Sequence, residues 1–552
     1  MLSRLPTNII CQIAQYLRTC TYKQPWLQQL SQVNQRLHRL VAAQVYEYFA
    51  LTDVIISGDI AGFRYVQPYL SRLLISDDQE IDDVQWLEGL HQLTVLDWGH
   101  VHMVSLELAG IGDGRAAKVV DWVLDNLVGV REVWVELDHR KDVIGRLLGC
   151  SEFFRNVERI RIIGGECTDN MQMLEPTMAV PALPQLQVAY LDHAAAAATS
   201  VVETVRQQSG QLLDMNVDGY GAELAQQLGM TASSAVYPRL ERLALACAPH
   251  GWEAAQVDAR CMPQLRSLYF SQRQYPVYAG CNVVRESTAV VLMQSAWEHL
   301  EIMAVDALTR GDVARMAGRL PKLRVLSIGA MGNDVDVADR GAPDQPLDPV
   351  GFAAILLACP QLVDLRVEVP TLFEDRYNGF APDGLPPADR PFFPTVRHLA
   401  VADHAGLRHL TINAWALTFD QALRLVRRLP RLGSLEWVLQ FSSRHPLSAD
   451  AVRETDAHAH PSLAHICMVH TTAVRFKHVF RTNLLRFVAA LGGGAGVGGR
   501  LRSLDVYGAL EIAGLSDAVA CVAPGCVAAF YPLVPSWLAD NEESEEEDER
   551  IY

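Results

Sequence analysis

The sequence predicts an α/β fold built as a solenoid, in which short parallel strands alternate with helices. One observation is a strand pattern with apolar residues spaced as L-x-x-L-x-L, which recurs along most of the chain. Another is that helical patterns separate its copies. The length of 552 residues also exceeds the ~250–300 residues at which a single core stops growing, which favours an elongated array. We expect three short helices in residues 1–50, the array in residues 51–537 and a disordered acidic tail in residues 538–552.

Copies of the strand pattern are spaced irregularly, mostly by 20 to 30 or so residues. They begin at Leu70, Leu93, Val130, Val157, Leu186, Leu212, Leu240, Leu265, Leu300, Leu323, Leu362, Val396, Leu407, Leu432, Leu463 and Leu501. This array resembles the leucine-rich repeat fold over roughly residues 60–535. It differs from that family in mostly lacking the Asn or Cys that follows the strand.

Helical patterns occupy residues 121–127, 289–297, 312–320, 352–359, 420–429 and 483–491. A strand followed by a helix builds parallel strands with crossovers, and each such unit can bury its apolar side only against its neighbours. Two insertions, residues 331–351 and 371–394, interrupt the rhythm. They are either binding loops on one face of the array or plain surface loops.

The first fifty residues carry three apolar stripes at helical spacing. Pro6 suits a first helical turn and Thr7 suits its cap. The stripes consist of Ile9, Ile10, Ile13 and Leu17, then Leu27, Leu30 and Val33, then Leu37, Leu40, Val41, Val45 and Phe49. Helices this short bury too little surface to be stable alone, so they need a partner or the first repeat to cover them.

This segment resembles an F-box over about residues 4–50. The matching positions are Leu5, Pro6, Ile9, Ile10, Ile13, Leu17, Leu30, Val33, Leu37 and Leu40. The resemblance implies that these residues bind a Skp-type adaptor, which connects the chain to a cullin and a RING subunit. The chain would then be the non-catalytic, cofactor-free substrate-recognition subunit of an SCF-type ubiquitin ligase. The alternative is a ligase-independent repeat scaffold whose N-terminal helices only cap the array.

The middle residue of each repeat strand is expected to point to the concave face, because side chains alternate along a strand. Aromatic and arginine side chains dominate binding hot spots. The candidate substrate-binding residues are Trp134, Arg161, Tyr190, Tyr269 and Arg366. A second column, one residue after the first apolar position, forms either a basic ridge or a solvated rim; it consists of Arg131, Arg266, Arg324, Arg397, Arg408 and Arg502.

Composition narrows the partners and the compartment. The 47 basic and 64 acidic residues give a net charge of -17, which disfavours generic nucleic-acid binding. The 11 cysteines include no C-x-x-C pair, which favours a reducing compartment, the cytoplasm or the nucleus. The uncharged run 518–539 is long enough to cross a membrane, but prolines interrupt it. We therefore expect a closing strand and cap of the array there, and no membrane partner.

No motif in the sequence predicts catalysis. Residues 494–499 satisfy G-x-G-x-x-G, but a helix precedes them and a strand follows, the reverse of a dinucleotide site. His458, His460, His465, His470 and Cys467 form a cluster of possible metal ligands. The cluster lacks a second cysteine and a helical H-x-x-x-H, so we expect no metal site.

Overall fold

The computed structural model describes residues 48–51, 55, 63, 67–76, 83–108, 111, 113–137, 143, 146–147, 149–164, 183–191, 199–220, 222–230, 236–247, 257–271, 296–305, 308, 313, 316, 318–329, 349–368, 402–439, 460–470, 477–492, 501–507 and 514–531. The chain divides into two compact units, Met1–Gln264 (unit 1) and Leu265–Tyr552 (unit 2). The predicted adaptor-binding residues between Leu5 and Leu40 lie outside the described residues, as does the acidic tail.

In the described part of unit 1, parallel strands pair in chain order, each with the next. They are β1 (Tyr48–Ala50), β2 (Arg72–Ile75), β3 (Met103–Glu107), β4 (Glu132–Leu137), β5 (Arg159–Gly164), β6 (Val188–Leu191), β7 (Asp214–Tyr220) and β8 (Arg242–Cys247). The helices between them are α1 (Asp83–Leu93), α2 (Asp113–Asn126), α3 (Ser151–Phe154), α4 (Thr199–Gln207) and α5 (Ala222–Gln227).

Unit 2 repeats the same arrangement, again with parallel pairing in chain order. Its strands are β9 (Ser267–Ser271), β10 (Ile302–Val305), β11 (Val325–Gly329), β12 (Asp364–Glu368), β13 (His409–Leu417), β14 (Ser434–Leu439), β15 (His465–His470), β16 (Ser503–Tyr507) and β17 (Val527–Tyr531). Its described helices are α6 (Pro349–Ala358), α7 (Phe419–Arg427), α8 (Lys477–Gly492) and α9 (Leu515–Val522). The prediction of an α/β solenoid with parallel strands is confirmed.

One backbone carbonyl per repeat sets the register between neighbouring strands. The carbonyl of Arg131, just before β4, accepts from Glu158 N at 2.8 Å and from Arg159 N at 3.0 Å. Equivalent double acceptors are Ser71, His102, Glu158, Gln187 and Leu213 in unit 1, and Arg266, Glu301, Arg324, Val363, Arg408, Gly433 and Ala464 in unit 2. The two hydrogen bonds align the first residue of each strand with the first residue of the next.

The apolar positions of the strand pattern are the positions whose side chains are buried. In β4, Val133 and Val135 are fully buried, whereas Trp134 between them is partly exposed. The first apolar residue of each repeat is buried as well, including Leu240, Leu323 and Leu432. Burying such a side chain contributes about 1.5–3 kcal/mol, and the gain depends on neighbouring repeats because these residues pack between them. Throughout, the sheet face that carries the partly exposed middle residues is called the open face.

Four ring side chains occupy one equivalent position, three residues before the first buried residue of a repeat. Each bonds to a backbone carbonyl at or just after the end of a helix. For Trp98 and Tyr237 this helix leads into their own strand, whereas for His404 and His460 it leads into the strand of the previous repeat. The pairs are Trp98 Nε1 with Leu93 O at 3.0 Å, Tyr237 Oη with Leu228 O at 2.8 Å, His404 Nε2 with Cys359 O at 3.1 Å and His460 Nε2 with Leu429 O at 3.1 Å. The last carbonyls of a helix have no partner within it. Those of Leu93, Cys359 and Leu429 also accept a backbone N–H, so the ring adds a second hydrogen bond there. For the carbonyl of Leu228, the donor among the described residues is the Tyr237 hydroxyl.

The two histidines have a defined tautomer. Nδ1 of His404 accepts from Gly406 N at 3.2 Å and Leu407 N at 3.0 Å, so Nε2 must carry the proton that it donates. The turn is tight: a Cβ on Gly406 would lie 3.1 Å from the carbonyl oxygen of Leu362. Glycine there lets the chain approach the neighbouring repeat closely enough for the ring to reach both partners.

Several expectations need correction. The copy predicted at Leu93 is wrong, because Leu93 ends α1 and the strand of that repeat is β3, preceded by Val101. The end of α1 and the turn after it, with Leu93, Leu96 and Trp98, carry apolar side chains in the same order as the strand motif. Phe49 lies in β1, so the third N-terminal stripe does not continue as a helix to that residue. Val396 lies outside the described residues.

The closing part of the array matches its prediction in part. Residues 518–539 include the end of α9 and all of β17, which pairs with β16. Among the described residues, no helix has the length and apolar character needed to cross a bilayer. This stretch therefore contributes a helix and a final described strand to unit 2.

Candidate binding site on the open face of unit 1

A cavity of about 370 Å³ opens on the sheet face of unit 1, across strands β4 to β8. It is lined by Glu132, Trp134, Arg159, Ile160, Arg161, Val188, Tyr190, Asp214 and Arg242. Pairing in register places Trp134 beside Arg161 and Arg161 beside Tyr190. Three of the residues predicted to bind a substrate therefore lie side by side on consecutive strands.

Arg161 is held between two aromatic rings. Its guanidinium carbon lies 4.7 Å from the ring centroid of Trp134 and 4.6 Å from that of Tyr190. A cation over an aromatic face is attracted by the ring quadrupole, by roughly 0.5–1 kcal/mol at exposed sites and more when water is excluded. With a ring on each side, the guanidinium is kept in one plane, and only its N–H edge remains for hydrogen bonds.

The carboxylates of the site already have cationic partners. Glu132 Oε1 accepts from the indole Nε1 of Trp134 at 2.9 Å, and its Oε2 lies 3.5 Å from Nη1 of Arg159. Asp214 Oδ2 lies 3.0 Å from Nη2 of Arg242. Glu132 thereby orients the indole that covers Arg161. A charged residue at the start of β4 thus supports the aromatic contact of Arg161.

Burial raises the pKa of Asp214, while the positive charges of Arg242 and Arg159 oppose that rise. The direction of the shift shows that burial raises the pKa of Asp214 by more than the two arginines lower it. The charge of Arg242 thus lowers the pKa of Asp214 and favours its ionised form. Substituting Arg242 by a neutral residue would push the pKa of Asp214 further upward.

Arg161 lacks the partners that its neighbours have. Its Nε atom is buried and makes no hydrogen bond, and within the described residues its guanidinium has neither a carboxylate nor a carbonyl partner. A buried donor without an acceptor costs about 1–3 kcal/mol, so such atoms call for an explanation. The two aromatic contacts offset part of that cost without supplying an acceptor.

The remaining two predicted substrate-binding residues lie in unit 2 and are not brought together. Tyr269 and Arg366 occupy equivalent positions, but Ala304 and Ser327 separate them along the sheet. Strand spacing therefore places the two backbones ~14 Å apart. Arg366 already donates to Asp364, with Nη2 to Oδ2 at 3.2 Å. Tyr269 is exposed to 45%.

The open face of unit 2 presents Cys467 between two acidic residues. Register pairs it with Glu436 on β14 and with Asp505 on β16. Burial, followed by the charges of these two carboxylates, raises the pKa of the Cys467 thiol to about 12. The thiol is therefore protonated at neutral pH, unlike that of a nucleophilic cysteine.

The predicted histidine cluster is dispersed by the fold. His460 is bonded to Leu429 in a turn, whereas His465 Nδ1 lies 2.8 Å from Ser503 Oγ on the open face. His458 lies outside the described residues. Within the part of the chain that the structure describes, no group of three His, Cys, Asp or Glu side chains is arranged to hold a metal ion.

The second arginine column lies at the edge where strands begin. Arg131, Arg266, Arg324, Arg408 and Arg502 are exposed and each immediately precedes a strand, while Arg397 lies outside the described residues. Arg131 lies 3.8 Å from Glu158 across the strand gap. Pairs this exposed contribute little to stability, which fits a solvated rim.

Sequence reasoning missed the charged row of Glu132, Arg159, Asp214 and Arg242. It considered the middle residue of each strand and the residue just before the strand, but not the residue that begins the strand, which points to the same face as the middle one. Including the first residue of each strand would have found the row, since four of the five strands begin with a charged residue.

Comparison with models of known protein families finds no match, and comparison with characterised protein sequences finds none either.

Proposed function

We propose that this chain is the substrate-recognition subunit of an SCF-type ubiquitin ligase. Its N-terminal F-box-like segment would bind a Skp-type adaptor, and the open face of its repeats would bind a protein substrate. Ubiquitin transfer would be performed by partner proteins. The proposal thus assigns no catalytic residue and no cofactor to this chain.

The observation that carries the proposal is the aromatic–arginine cluster of Trp134, Arg161 and Tyr190 on the open face of a repeat array. Tryptophan, tyrosine and arginine are the side chains most enriched among binding hot spots. A parallel array that displays them beside a cavity is suited to binding another macromolecule. The F-box-like segment, argued from the sequence, adds the connection to a ligase.

The second candidate is a ligase-independent repeat scaffold. β1 favours it, because Tyr48–Ala50 pairs with β2 and so joins the end of the N-terminal segment directly to the array. A segment continuous with the array in this way could serve as its cap. The two candidates differ in whether the stripe containing Ile10 and Ile13 binds a partner or packs on the first repeats.

The deciding experiment is a pull-down of the full chain with a purified Skp-type adaptor. Ile10→Asp and Ile13→Asp each place a charge on the apolar stripe. Leu357→Asp is the matched control, because Leu357 is an apolar side chain that is 71% exposed. Saturable binding that Ile10→Asp and Ile13→Asp abolish and Leu357→Asp retains supports the ligase subunit.

Circular dichroism of the same variants separates the two candidates. If the stripe binds an adaptor, Ile10→Asp melts at the temperature of the unsubstituted chain. If the stripe caps the array, Ile10→Asp lowers the melting temperature, because a charge would then be buried without a partner. Absence of adaptor binding by the unsubstituted chain would overturn the ligase proposal.

A further inference from the structure

We propose that the cavity on unit 1 binds an acidic segment of a partner protein, with Arg161 as the residue that receives the carboxylate. This inference rests on the proposed function, since it names the chemical class of substrate segment that the open face takes. It starts from a mismatch within the site. Three arginines but only two carboxylates line the cavity.

The excess charge can be assigned to one residue. Glu132 is paired with Arg159, and Asp214 is paired with Arg242. Arg161 is the remaining cation, and its guanidinium lies over the rings of Trp134 and Tyr190. The site therefore carries a local charge of the opposite sign to the whole chain, whose net charge is -17. Charges beyond ~8–10 Å are largely screened at physiological salt, so the local charge governs a ligand in the cavity.

The geometry of Arg161 selects the kind of anion. The two rings cover both faces of the guanidinium, so a further aromatic group cannot stack on it. What remains is the planar edge of this partly exposed side chain, whose Nε is itself buried and unpartnered. An arginine edge matches the two oxygens of a carboxylate, and such charge-assisted bonds are strongest where water is excluded. Aspartate or glutamate side chains of a partner provide that group.

A cationic ligand fits this site less well. Binding one would require Glu132 or Asp214 to release its arginine, and Glu132 also accepts from the Trp134 indole. An apolar ligand would leave the guanidinium of Arg161 without a carboxylate partner. An acidic segment meets both demands at once, because it supplies the acceptor and leaves the two existing ion pairs intact.

The test titrates the full chain into fluorescent degenerate decapeptide pools and follows their anisotropy. The pools share a length and random flanks, and differ only in a fixed central pair: Glu-Glu, Gln-Gln or phosphoserine-Glu. The chain variants are Arg161→Gln, Arg161→Lys and Arg146→Gln. Arg146 is the matched control, an arginine of unit 1 that is paired with Asp121 at 2.9 Å and lies outside the cavity.

We expect the Glu-Glu pool to bind, to bind at least tenfold more tightly than the Gln-Gln pool, and to lose affinity as salt rises. Arg161→Gln should weaken that binding at least tenfold, while Arg146→Gln leaves it unchanged. Arg161→Lys should be intermediate, because an ammonium group keeps the charge without the planar edge; it also serves as the test if Arg161→Gln loses its circular dichroism spectrum. Tighter binding of the phosphoserine pool, with the same dependence on Arg161, supports the anion site and identifies phosphate as the preferred source.

The proposal is overturned if none of the pools binds at millimolar concentration, if the Gln-Gln pool binds equally well, or if Arg161→Gln has no effect. The Skp-type adaptor pull-down is carried out in parallel. Because adaptor binding depends on the N-terminal stripe and peptide binding depends on Arg161, either can fail while the other stands.

Discussion

His460 bonds through Nε2 to the backbone carbonyl of Leu429, 3.1 Å away, and so connects the turn before β15 to the end of α7, the helix that leads into the neighbouring strand β14. Its Nδ1 accepts from the backbone N–H of Leu463 at 2.9 Å. Both ring nitrogens are thus used by the neutral imidazole, and protonation of Nδ1 would remove the acceptor. The ring is a hydrogen-bond bridge that acts only in its uncharged form.

This bridge predicts an acid-sensitive contribution to stability. Burial lowers the pKa of His460 below its usual value of 6.5, although hydrogen bonds to backbone carbonyls, including that of Leu429, oppose the shift. As the pH falls below 6.5, the unfolded chain therefore takes up a proton before the folded chain does. The stabilisation is complete above pH 6.5 and is lost as the pH falls through the folded-state pKa.

The measurement is the melting temperature of the chain and of His460→Asn between pH 5 and pH 8. We expect the unsubstituted chain to lose more stability on acidification than His460→Asn, in which the bridge cannot titrate. His91→Asn, on an exposed histidine in α1, controls for loss of a surface histidine. Parallel pH profiles for the chain and His460→Asn would contradict the prediction.

Tyr237 makes the equivalent bond in unit 1 with its hydroxyl, 2.8 Å from the carbonyl of Leu228. Burial raises the pKa of Tyr237, so the phenol stays protonated and remains a donor. Tyr237→Phe should lower the free energy of unfolding by about 1–2 kcal/mol, because the buried carbonyl loses its partner. Urea denaturation measures this loss. Tyr190→Phe is the control, since its hydroxyl makes no hydrogen bond within the described residues, and an equal loss in both variants would contradict the argument.

Helix α6 offers a pair of adjacent leucines with opposite environments. Leu356 is 2% exposed and Leu357 is 71% exposed. Leu356→Ala should cost about 2–5 kcal/mol, because it removes buried methyl groups and leaves a cavity. Leu357→Ala should change stability by less than about 0.5 kcal/mol. Similar costs in urea denaturation would mean that α6 does not bury the face described here.

The cysteines of unit 2 should differ in reactivity. With a pKa of about 12, Cys467 would be ionised to about one part in ten thousand at pH 8, and only the thiolate is nucleophilic. Cys521 is exposed in α9. Brief treatment with iodoacetamide followed by mass spectrometry should therefore label Cys521 well before Cys467. Glu436→Gln removes one of the two carboxylates beside Cys467 and should speed its labelling, whereas a rate equal to that of Cys521 in the unsubstituted chain would contradict the assignment.

The sequence predicted the strands better than the contacts between them. Spacing of apolar residues located the repeats that begin at Val130, Val157 and Leu186, because burial on a pleated strand has a period of two. It failed at Leu93, where a helix end carries apolar residues at a similar spacing. The spacing of three apolar residues does not distinguish a strand from the end of a helix. Recognising a helix over residues 83–93 would have excluded a strand that begins at Leu93.

The hydrogen bonds from the four rings to helix-end carbonyls could not have been predicted from the recurrence of one residue type. Trp98, Tyr237, His404 and His460 differ in size and chemistry, and share only a donor that reaches a carbonyl at the end of an earlier helix. The arginine stack was partly predictable, because Trp134, Arg161 and Tyr190 stand at one position in consecutive repeats. Which ring lies over the guanidinium, and that Nε is left without an acceptor, depends on rotamers that spacing does not contain.

The double acceptor at the start of each strand has a consequence for how this protein can change. Ile302 and Val325 are 23 positions apart, and Asp364 and His409 are 45 positions apart, yet each pair lies side by side. In both cases one carbonyl, of Glu301 or of Val363, receives two N–H groups at 2.8 and 3.0 Å. The segments that connect neighbouring strands therefore differ widely in length, yet the strands pair in the same register through the same two hydrogen bonds. Connecting segments can be inserted, exchanged or shortened by evolution or by an engineer while the neighbouring strands keep their alignment.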